Sequence, residues 1–517
     1  MRRGWLWVLA LAVALGGVAQ EEEPDLPTSF TAPLTLEPGA EEPAPSEPAG
    51  PAPEPETTPE QPASPEPLPE EPEPEPAPKP PPAPEQPVPS PEEEPVPAEA
   101  TDLDQEAARF FGTLLEVHPD PYHTLSQTEL ESLQAEVEAK LANNLDLVGS
   151  YKLLAPAAAA IGDGETQILP PRADFLAFSQ NGGLVFPLVL DLSGQLPVVT
   201  DDLGSGIPVG SQILNIAGQP VWRSLSQPLS WISGAWEPGR RARLQQDFPL
   251  YWWLAHGPTA ELELLVETPS GERQSLTLPG ITYDQWPQTA AEPVSWKVFS
   301  EGVAHLVVRD FTGDSARFLF TLNGLFAEME RRSADRLIVD LRSASGGDPN
   351  LARMLLYFLT AEPFRMYAQV DTKVSDPVRS LHPGDPNVAQ AENGAILTAE
   401  LAEETPPPGP RFSGELYVLT GPATAGPAAS VAAVVKDYKL GTLVGEETGG
   451  LATRYGGIYR FSLGDSGLEA EVPHQRFVRP AGFDDGRGVL PDLEIPVRQA
   501  LDDLLERLGV NQAGITQ

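Results

Sequence analysis

From Val298 onward, short β-branched runs alternate with segments whose apolar residues recur at helical spacing. The predicted strands are 303–309, 337–342, 416–420 and 442–444, and the predicted helices between them include 322–329, 350–359 and 428–435. Strands alternating with helices predict right-handed crossovers and an α/β core with a mostly parallel sheet. Ligands of such sheets bind at the carboxyl ends of the strands. Here those ends are the loops 342–348, 421–428 and 445–450.

Two segments of different character precede this core, which we assign to residues 291–507. Residues 101–182 carry helical periodicity and form a predicted N-terminal helical segment, whose third helix (153–161) stops at Gly162. Residues 183–290 are predicted to form a small β-rich module, because short Val/Leu runs alternate there with Gly, Pro and Asp. Within it, 210–221 predicts strand, tight turn and strand. This stretch resembles the G-x-x-I-x-x-I-x-G region of PDZ-like modules.

Residues 20–100 consist mostly of Pro, Glu and Ala. Residues 21–100 contain 21 acidic residues and one basic residue, Lys79. Such a segment has little to bury and cannot offset the entropy of ordering, so we predict a long disordered linker. Its proline content favours an extended spacer, and a Pro-rich ligand for a partner domain is the alternative interpretation.

The first 19 residues have the layout of a secretory signal peptide. Arg2 and Arg3 precede an apolar run (5–18), and Ala19 marks a small-residue cleavage site. An uncleaved anchor is the alternative, but the run is short for a span of about 20 residues. We therefore predict an extracytoplasmic protein, in the periplasm, the cell envelope or the medium, with no membrane span after cleavage.

Charge and composition exclude several classes of function. The net charge is −42, from 75 acidic and 33 basic residues, which argues against a nucleic-acid partner. The chain has no cysteine, so disulfides and thiolate chemistry are excluded. The six histidines show no metal-binding spacing. No metal and no cofactor are expected.

Five segments together resemble the family of C-terminal-processing (tail-specific) serine peptidases and the related tricorn core protease. They match, in the family's order, its G-D-G-H-T, D-L-R-x-N-x-G-G, nucleophile-loop, G-E-x-T-x-G and G-V-x-P-D motifs. In this chain they read Gly162-Asp-Gly-Glu-Thr166, Asp340-Leu-Arg-Ser-Ala-Ser-Gly-Gly347, Leu419-Thr-Gly-Pro-Ala-Thr-Ala-Gly426, Gly445-Glu-Glu-Thr-Gly-Gly450 and Gly488-Val-Leu-Pro-Asp492. The resemblance covers roughly residues 105–500 and implies a peptidase fold with an inserted PDZ-like module.

The resemblance places the nucleophilic serine where this chain has Gly426, so the hydroxyl is missing. The next residue in the family donates its backbone N–H to the oxyanion hole, but here it is Pro427, which has none. The histidine of G-D-G-H-T is replaced by Glu165, and the lysine of Ser–Lys members by a residue near Leu451. The resemblance therefore implies a degenerate site with no catalytic residues.

Scaffold positions are retained at Gly346, Gly347 and Glu446. Gly347 is either a remnant oxyanion donor or a turn glycine that needs positive φ, and we favour the turn. Nearby hydroxyls and imidazoles are the possible replacement groups, and none stands out as a nucleophile or base. These are Ser343, Ser345, Ser430, His118, His123 and His474.

Three functions are compatible with these features. The first is a non-catalytic peptidase homologue that binds peptides or unfolded protein termini in the cell envelope. The second is an active serine endopeptidase with a displaced nucleophile. The third is a structural envelope protein, suggested by the acidic linker. The sequence leaves the oligomeric state open.

Overall fold

The structure is a computed structural model that describes residues 102–510 except 142–144, 288–291 and 465. The predicted signal peptide (1–19) and linker (20–100) lie outside the described residues. The boundaries proposed at 182/183 and 290/291 stay predictions.

The N-terminal part is helical, as the periodicity predicts. Its elements are α1 Asp102–Val117, α2 Gln127–Leu141, α3 Leu147–Ala159, β1 Gln167–Ile168 and α4 Arg172–Gln180. The prediction for the third helix was wrong at its start. Helix α3 begins at Leu147 because the Asp146 side chain accepts a hydrogen bond from Gly149 N at 2.7 Å and caps it.

The following module contains a sheet, and it also contains helices. Three helices occur within it, and two of them carry proline in the first turn, where its missing N–H costs nothing. Its elements are β2 Leu184–Val185, β3 Val189–Asp191, β4 Val198–Asp201, β5 Gln212–Ile216, β6 Gln219–Pro220, α5 Val221–Ser230, α6 Glu237–Gln246, α7 Phe248–His256, β7 Glu261–Glu267, β8 Arg273–Pro279 and β9 Ile281–Thr282. The sheet order is β3-β4-β5-β7-β8, with β6 paired to β5.

The remaining elements form the α/β core and a second sheet beside it. They are β10 Val294–Val298, β11 Val303–Val308, α8 Ser315–Arg332, β12 Arg336–Asp340, α9 Pro349–Leu359, β13 Gln369–Lys373, α10 Asp376–Leu381, α11 Pro386–Gln390, β14 Ile396–Glu400, β15 Glu415–Thr420, α12 Pro427–Asp437, β16 Thr442–Gly445, β17 Arg454–Ser462, β18 Glu469–Val478, β19 Leu493–Glu494 and α13 Ala500–Arg507.

The predicted parallel sheet is present. Its order is β10-β11-β12-β15-β16-β19, and only the edge strand β10 runs antiparallel to its neighbour. Both faces are covered, as parallel sheets require. On β12, Leu337 and Val339 face a core that includes residues of α8, α9 and α12. Ile338, between them, faces the core formed with α13.

A second sheet, entirely antiparallel, was not predicted. Its order is β1-β18-β13-β14, with β17 also paired to β18. The N-terminal helices pack on it, since Phe461, Ala470 and Val472 share a core with residues of α1–α3. Its strands come from residues 167 to 478, and no local pattern announces so distant a pairing.

We predict that Leu337→Ala lowers the free energy of unfolding by about 2–5 kcal/mol, because it opens a cavity in a fully buried central strand. Leu490→Ala is the control, since that side chain is 43% exposed and its loss should cost less than about 0.5 kcal/mol. Urea denaturation followed by tryptophan fluorescence measures both. Equal losses would contradict the central position of β12.

Candidate functional site

A cleft of about 520 Å³ lies where loops after the parallel strands face the antiparallel sheet. One wall is formed by the loop after β12 and by the start of α12. The opposite wall comes from β17, β18 and the end of α10. The lining residues are Glu165, Ser345, Gly346, Gly347, Asp348, Pro349, Asn350, Leu381, His382, Gly426, Pro427, Arg454, Gly456, Gly457, Ile458, His474, Gln475 and Phe477.

Gly426 sits at the turn from β15 into α12, with φ 55° and ψ −131°. An L residue rarely adopts this conformation, and active sites store strain in such positions. The turn is sharp because Ala425 N donates to Ala344 O at 2.9 Å and Thr424 Oγ1 to Leu341 O at 2.8 Å. The strand–turn–helix geometry thus presents residue 426 to the cleft, and this residue has no side chain.

Pro427 is the first residue of α12 and lines the cleft beside Gly426. It has no N–H, so it cannot donate to an oxyanion. Proline is well suited to this first helical position because its fixed φ is already helical.

The glycines after β12 face Gly426 across the cleft. A Cβ on Gly426 would lie 3.5 Å from Gly346 Cα. Gly347 has φ 112°, and a Cβ there would lie 2.3 Å from Phe311 O. The amide N–H groups of Gly346, Gly347 and Gly426 meet no acceptor among the described residues. Gly347 therefore fits both roles considered for it. Its turn needs glycine, and its N–H can donate a hydrogen bond to a ligand.

Glu165 occupies the position of the expected base and lines the same cleft. It is half-buried, and burial raises the pKa of its carboxyl. Arg243 and Arg454 act in the opposite direction, since their charges favour the carboxylate. Glu165 is thus a carboxyl group whose charge depends on two arginines.

The turn that carries Glu165 is held by a buried pair, Asp163 and His118. Asp163 accepts hydrogen bonds from Glu165 N and Thr166 N, each at 2.6 Å. His118 Nε2 lies 3.0 Å from Asp163 Oδ2, and both side chains are fully buried. Asp120 N donates a hydrogen bond to His118 Nδ1 at 3.0 Å. The ring proton is therefore on Nε2, which donates a hydrogen bond to Asp163.

Burial would raise the pKa of Asp163, but hydrogen bonds from His118 and Thr166 outweigh it and hold that pKa below its usual value. His118 is therefore hydrogen-bonded to Asp163, and it does not line the cleft. His123 stacks on His118, with ring centroids 5.5 Å apart, and does not line it either.

Arg454, on β17, joins three elements at the base of the cleft. Its guanidinium donates to Tyr367 Oη at 3.0 Å and to Ser430 Oγ at 3.3 Å. Tyr367 Oη and Ser430 Oγ are 2.9 Å apart. Ser430 also donates to Gly426 O at 3.3 Å and is buried. Ser430 is therefore a core serine, and it does not line the cleft.

Two histidines meet on the wall opposite Gly426. Nε2 of His382 and Nε2 of His474 are 2.8 Å apart, so one ring donates to the other. Burial, together with the neighbouring His382, lowers the pKa of His474 to about 3. Burial also lowers the pKa of His382. The sequence named His474 without placing it in the cleft, and it did not indicate His382 at all.

The other motif positions serve as scaffold. Arg342 makes two hydrogen bonds to Asp340, at 2.7 and 2.9 Å, and donates to Val497 O at 2.8 Å. Glu446 Oε1 accepts from Val497 N at 2.9 Å. Glu446 does not line the cleft, and neither does Leu451, which lines the adjacent small cavity. These contacts hold the C-terminal segment against the strand ends.

The structure thus brings together five of the six site positions named from sequence: Glu165, Gly346, Gly347, Gly426 and Pro427. Ser345 also lines the cleft, whereas Ser343 is exposed outside it. The residues that sequence reasoning missed are Arg454, His382 and Gln475. They lie on the unpredicted antiparallel sheet or next to it, and no spacing in the sequence could link them to Gly426.

Within residues 102–510 as described, no three His, Asp or Glu side chains are placed to hold a metal ion. In the same part of the chain, no helix has the length and hydropathy needed to cross a bilayer.

Comparison with known proteins identifies the core. Residues 302–495 match the family model of peptidase family S41. The core is a peptidase family S41 domain. Its motif segments 340–347, 419–426, 445–450 and 488–492 all fall within the matched range. This confirms the resemblance to tail-specific peptidases, and the protein is peptidase-like.

Solved structures share the fold. A point mutant of CPAF is 14% identical, with a TM-score of 0.60, over 79% of this chain and 96% of that one. Mature CPAF complexed with lactacystin is 14% identical, with a TM-score of 0.58, over 79% and 97%. The photosystem II D1 C-terminal processing protease is 16% identical over 80% and 99%, and its TM-score of 0.44 is too low to support a conclusion.

We predict that His474 makes the S41 domain less stable in acid. Its folded pKa, about 3, lies below the value of about 6.5 in the unfolded chain. As the pH falls below about 6.5, the unfolded chain therefore binds a proton that the folded chain does not. Stability should fall by up to about 1.4 kcal/mol per pH unit between about 6.5 and 3.

His474→Gln should reduce this slope, while leaving the pH dependence above about 7.5 unchanged. Urea denaturation at pH 5.0, 6.0, 7.0 and 8.0 compares the two proteins. If the free energies of unfolding of the two proteins changed in parallel over the whole pH range, folding would not lower the pKa of His474.

Proposed function

We propose that this protein is a non-catalytic S41 peptidase homologue that binds extended peptides or protein termini outside the cytoplasm. The observation that carries the proposal is Gly426. The strand–turn–helix backbone is present where the family resemblance places the nucleophile, but the residue there has no hydroxyl. Acyl transfer also needs a base and two N–H donors, and Pro427 supplies no N–H.

Binding is supported by what the cleft retains. The N–H groups of Gly346, Gly347 and Gly426 have no acceptor in the described part of the chain, and all three residues line the cleft. Unpaired N–H groups in a cleft can donate hydrogen bonds to a peptide carbonyl or to a terminal carboxylate. Polar side chains on the opposite wall, including Gln475 and His382, give further hydrogen-bonding partners.

The proposed location rests on the signal-peptide pattern of residues 1–19, and the linker (20–100) would act as a spacer. The module 183–290 would be PDZ-like and would hold peptides by strand addition. Removal of residues 20–100 distinguishes two roles. A spacer does not itself recruit partners, so its removal should leave them unchanged. In a structural envelope role the segment recruits partners, so its removal should lose them.

The first test is chemical labelling. The mature protein is incubated with a fluorophosphonate probe and, separately, with unfolded protein substrates. We expect neither labelling nor cleavage, because the position of the nucleophile is a glycine. A labelled serine, mapped by mass spectrometry, would overturn the proposal. Labelling of Ser345, the serine that lines the cleft, would support the displaced-nucleophile endopeptidase instead.

The second test is peptide binding. Fluorescence anisotropy with a set of labelled C-terminal peptides should detect binding. Gly346→Ala keeps the N–H but adds a methyl group to the cleft wall, which should weaken binding about fivefold, as expected when the peptide loses about 1 kcal/mol of hydrogen bonding. A Cβ on Gly346 meets nothing within 4 Å, so the fold should tolerate it. Gly112→Ala on α1 has equal space and is the control. Equal affinity in both variants would place the peptide elsewhere.

We predict that Gly426→Ser alone remains inactive. The new Cβ has room, since its nearest neighbour would be Gly346 Cα at 3.5 Å. The positive φ should cost about 1–3 kcal/mol, which a serine N-cap offsets by about 0.5–1 kcal/mol. Gly426→Ala shares the strain without the cap, so it should melt below Gly426→Ser. Proteolysis by the serine variant would show that Pro427 and Glu165 do not block the chemistry.

A further inference from the structure

The two histidines of the cleft wall come from distant parts of the chain. His382 directly follows helix α10, and His474 lies on strand β18, 92 residues later, a spacing that no local metal-binding motif uses. Their Nε2 atoms are 2.8 Å apart, and the ring centroids are 5.0 Å apart. Both nitrogens therefore point into the space between the rings, and both residues line the cleft.

The backbone of strand β17 leaves room for the His474 ring. Gly457 lies opposite His474 in the pairing of β17 with β18, and its φ is 63°. A Cβ on Gly457 would lie 2.8 Å from His474 Cε1 and 2.6 Å from Gln475 Oε1. Any other residue would push the imidazole aside. His474 is only 4% exposed, so packing holds its Nε2 towards His382.

Two imidazole nitrogens that face each other are a donor set for divalent transition metals, since imidazole suits Zn, Cu and Ni. Zn–N bonds of about 2.0–2.1 Å in tetrahedral geometry place two ligating nitrogens about 3.4 Å apart. The Nε2 atoms must therefore separate by about 0.6 Å to admit the ion. His382 can supply this movement, because it is half-buried and lies at the end of a helix.

The metal coordination would be incomplete with protein ligands alone. Among the described residues, no third His, Asp or Glu joins this pair. Zinc in proteins is almost always four-coordinate, so two positions would stay open. Both histidines line the cleft, and the open N–H groups of Gly346, Gly347 and Gly426 line it too. A molecule held in the cleft is therefore placed to supply the remaining ligands.

We propose that His382 and His474 bind one divalent transition-metal ion such as Zn²⁺, and that a carboxylate of a bound peptide completes its coordination. The carboxylate contact rests on the proposed peptide-binding function, whereas the two-histidine site does not. Both Nε2 lone pairs go to the metal, so the proton that lies between them moves to Nδ1 of its own ring. Carboxylate oxygen is an accepted third ligand beside two imidazoles.

Zinc titration of the full chain tests the two-histidine site. The protein is prepared without a histidine tag and titrated by calorimetry in a buffer that does not chelate metals. We expect one zinc ion per chain, and binding at least about tenfold weaker in His382→Gln and in His474→Gln. His256→Gln is the matched control and should bind zinc like the unmodified chain. His256 lies on α7 outside the cleft, with Nε2 2.9 Å from Ser224 O.

The site would be overturned by a chain that binds no zinc at about 1 mM metal. Equal zinc affinity in the control and in both cleft variants would overturn it as well, because the ion would then be bound elsewhere. If circular dichroism shows that His474→Gln does not fold, the half-buried His382 decides the question alone.

Peptide titrations with and without zinc test the open coordination positions. Three labelled peptides are compared: one with a free C-terminal carboxylate and no acidic side chain, one amidated with a single glutamate, and one amidated with neither. Zinc should strengthen binding of the first two at least about fivefold and leave the third unchanged. Equal effects on all three, including no effect, would show that no carboxylate reaches the metal. If no peptide binds in either condition, the proposed function fails, while the zinc titration still decides the metal site.

Discussion

The site depends on hydrogen bonds that join two loops at the ends of adjacent parallel strands. Thr424 and Ala425, after β15, donate to Leu341 and Ala344, after β12. Gly450 N in turn donates to Thr424 O at 3.0 Å. These contacts hold the backbone before α12 in place, and residue 426 is thereby kept in its positive-φ conformation. The cleft, its glycine wall and the first turn of α12 all follow from this constraint.

A turn of this kind imposes strain on any L residue, and an enzyme tolerates it to present a nucleophile. Glycine adopts the same conformation without that cost. Pro427 adds a further preference, because the first turn of a helix suits its fixed φ. The loop therefore combines a positive-φ turn at the start of α12 with two residues suited to that backbone. The Asp163–His118 pair acts similarly, since it holds a turn whose outward residue is Glu165 and not histidine.

The fold was largely predictable where its signals are local. The strands and helices of the α/β core follow from periodicity, and Gly426 and Pro427 follow from their position after a predicted strand. Prediction failed for the helices α5 and α6 of the β-rich module and where strands pair over long distances. His382 and His474 are 92 residues apart, yet their rings share a hydrogen bond of 2.8 Å. No spacing rule connects residues that meet only because β13 and β18 pair.

The sequence alone determined which chemical groups are present. It established that residue 426 lacks a hydroxyl, that residue 427 lacks an N–H and that no thiol exists anywhere in the chain, because these are properties of residue types. Tertiary structure decided which groups face one another: the glycine N–H groups, Glu165 and the two histidines around one cleft. The reason is that side-chain chemistry is local in sequence, whereas the walls of a cleft are made by pairings between distant segments.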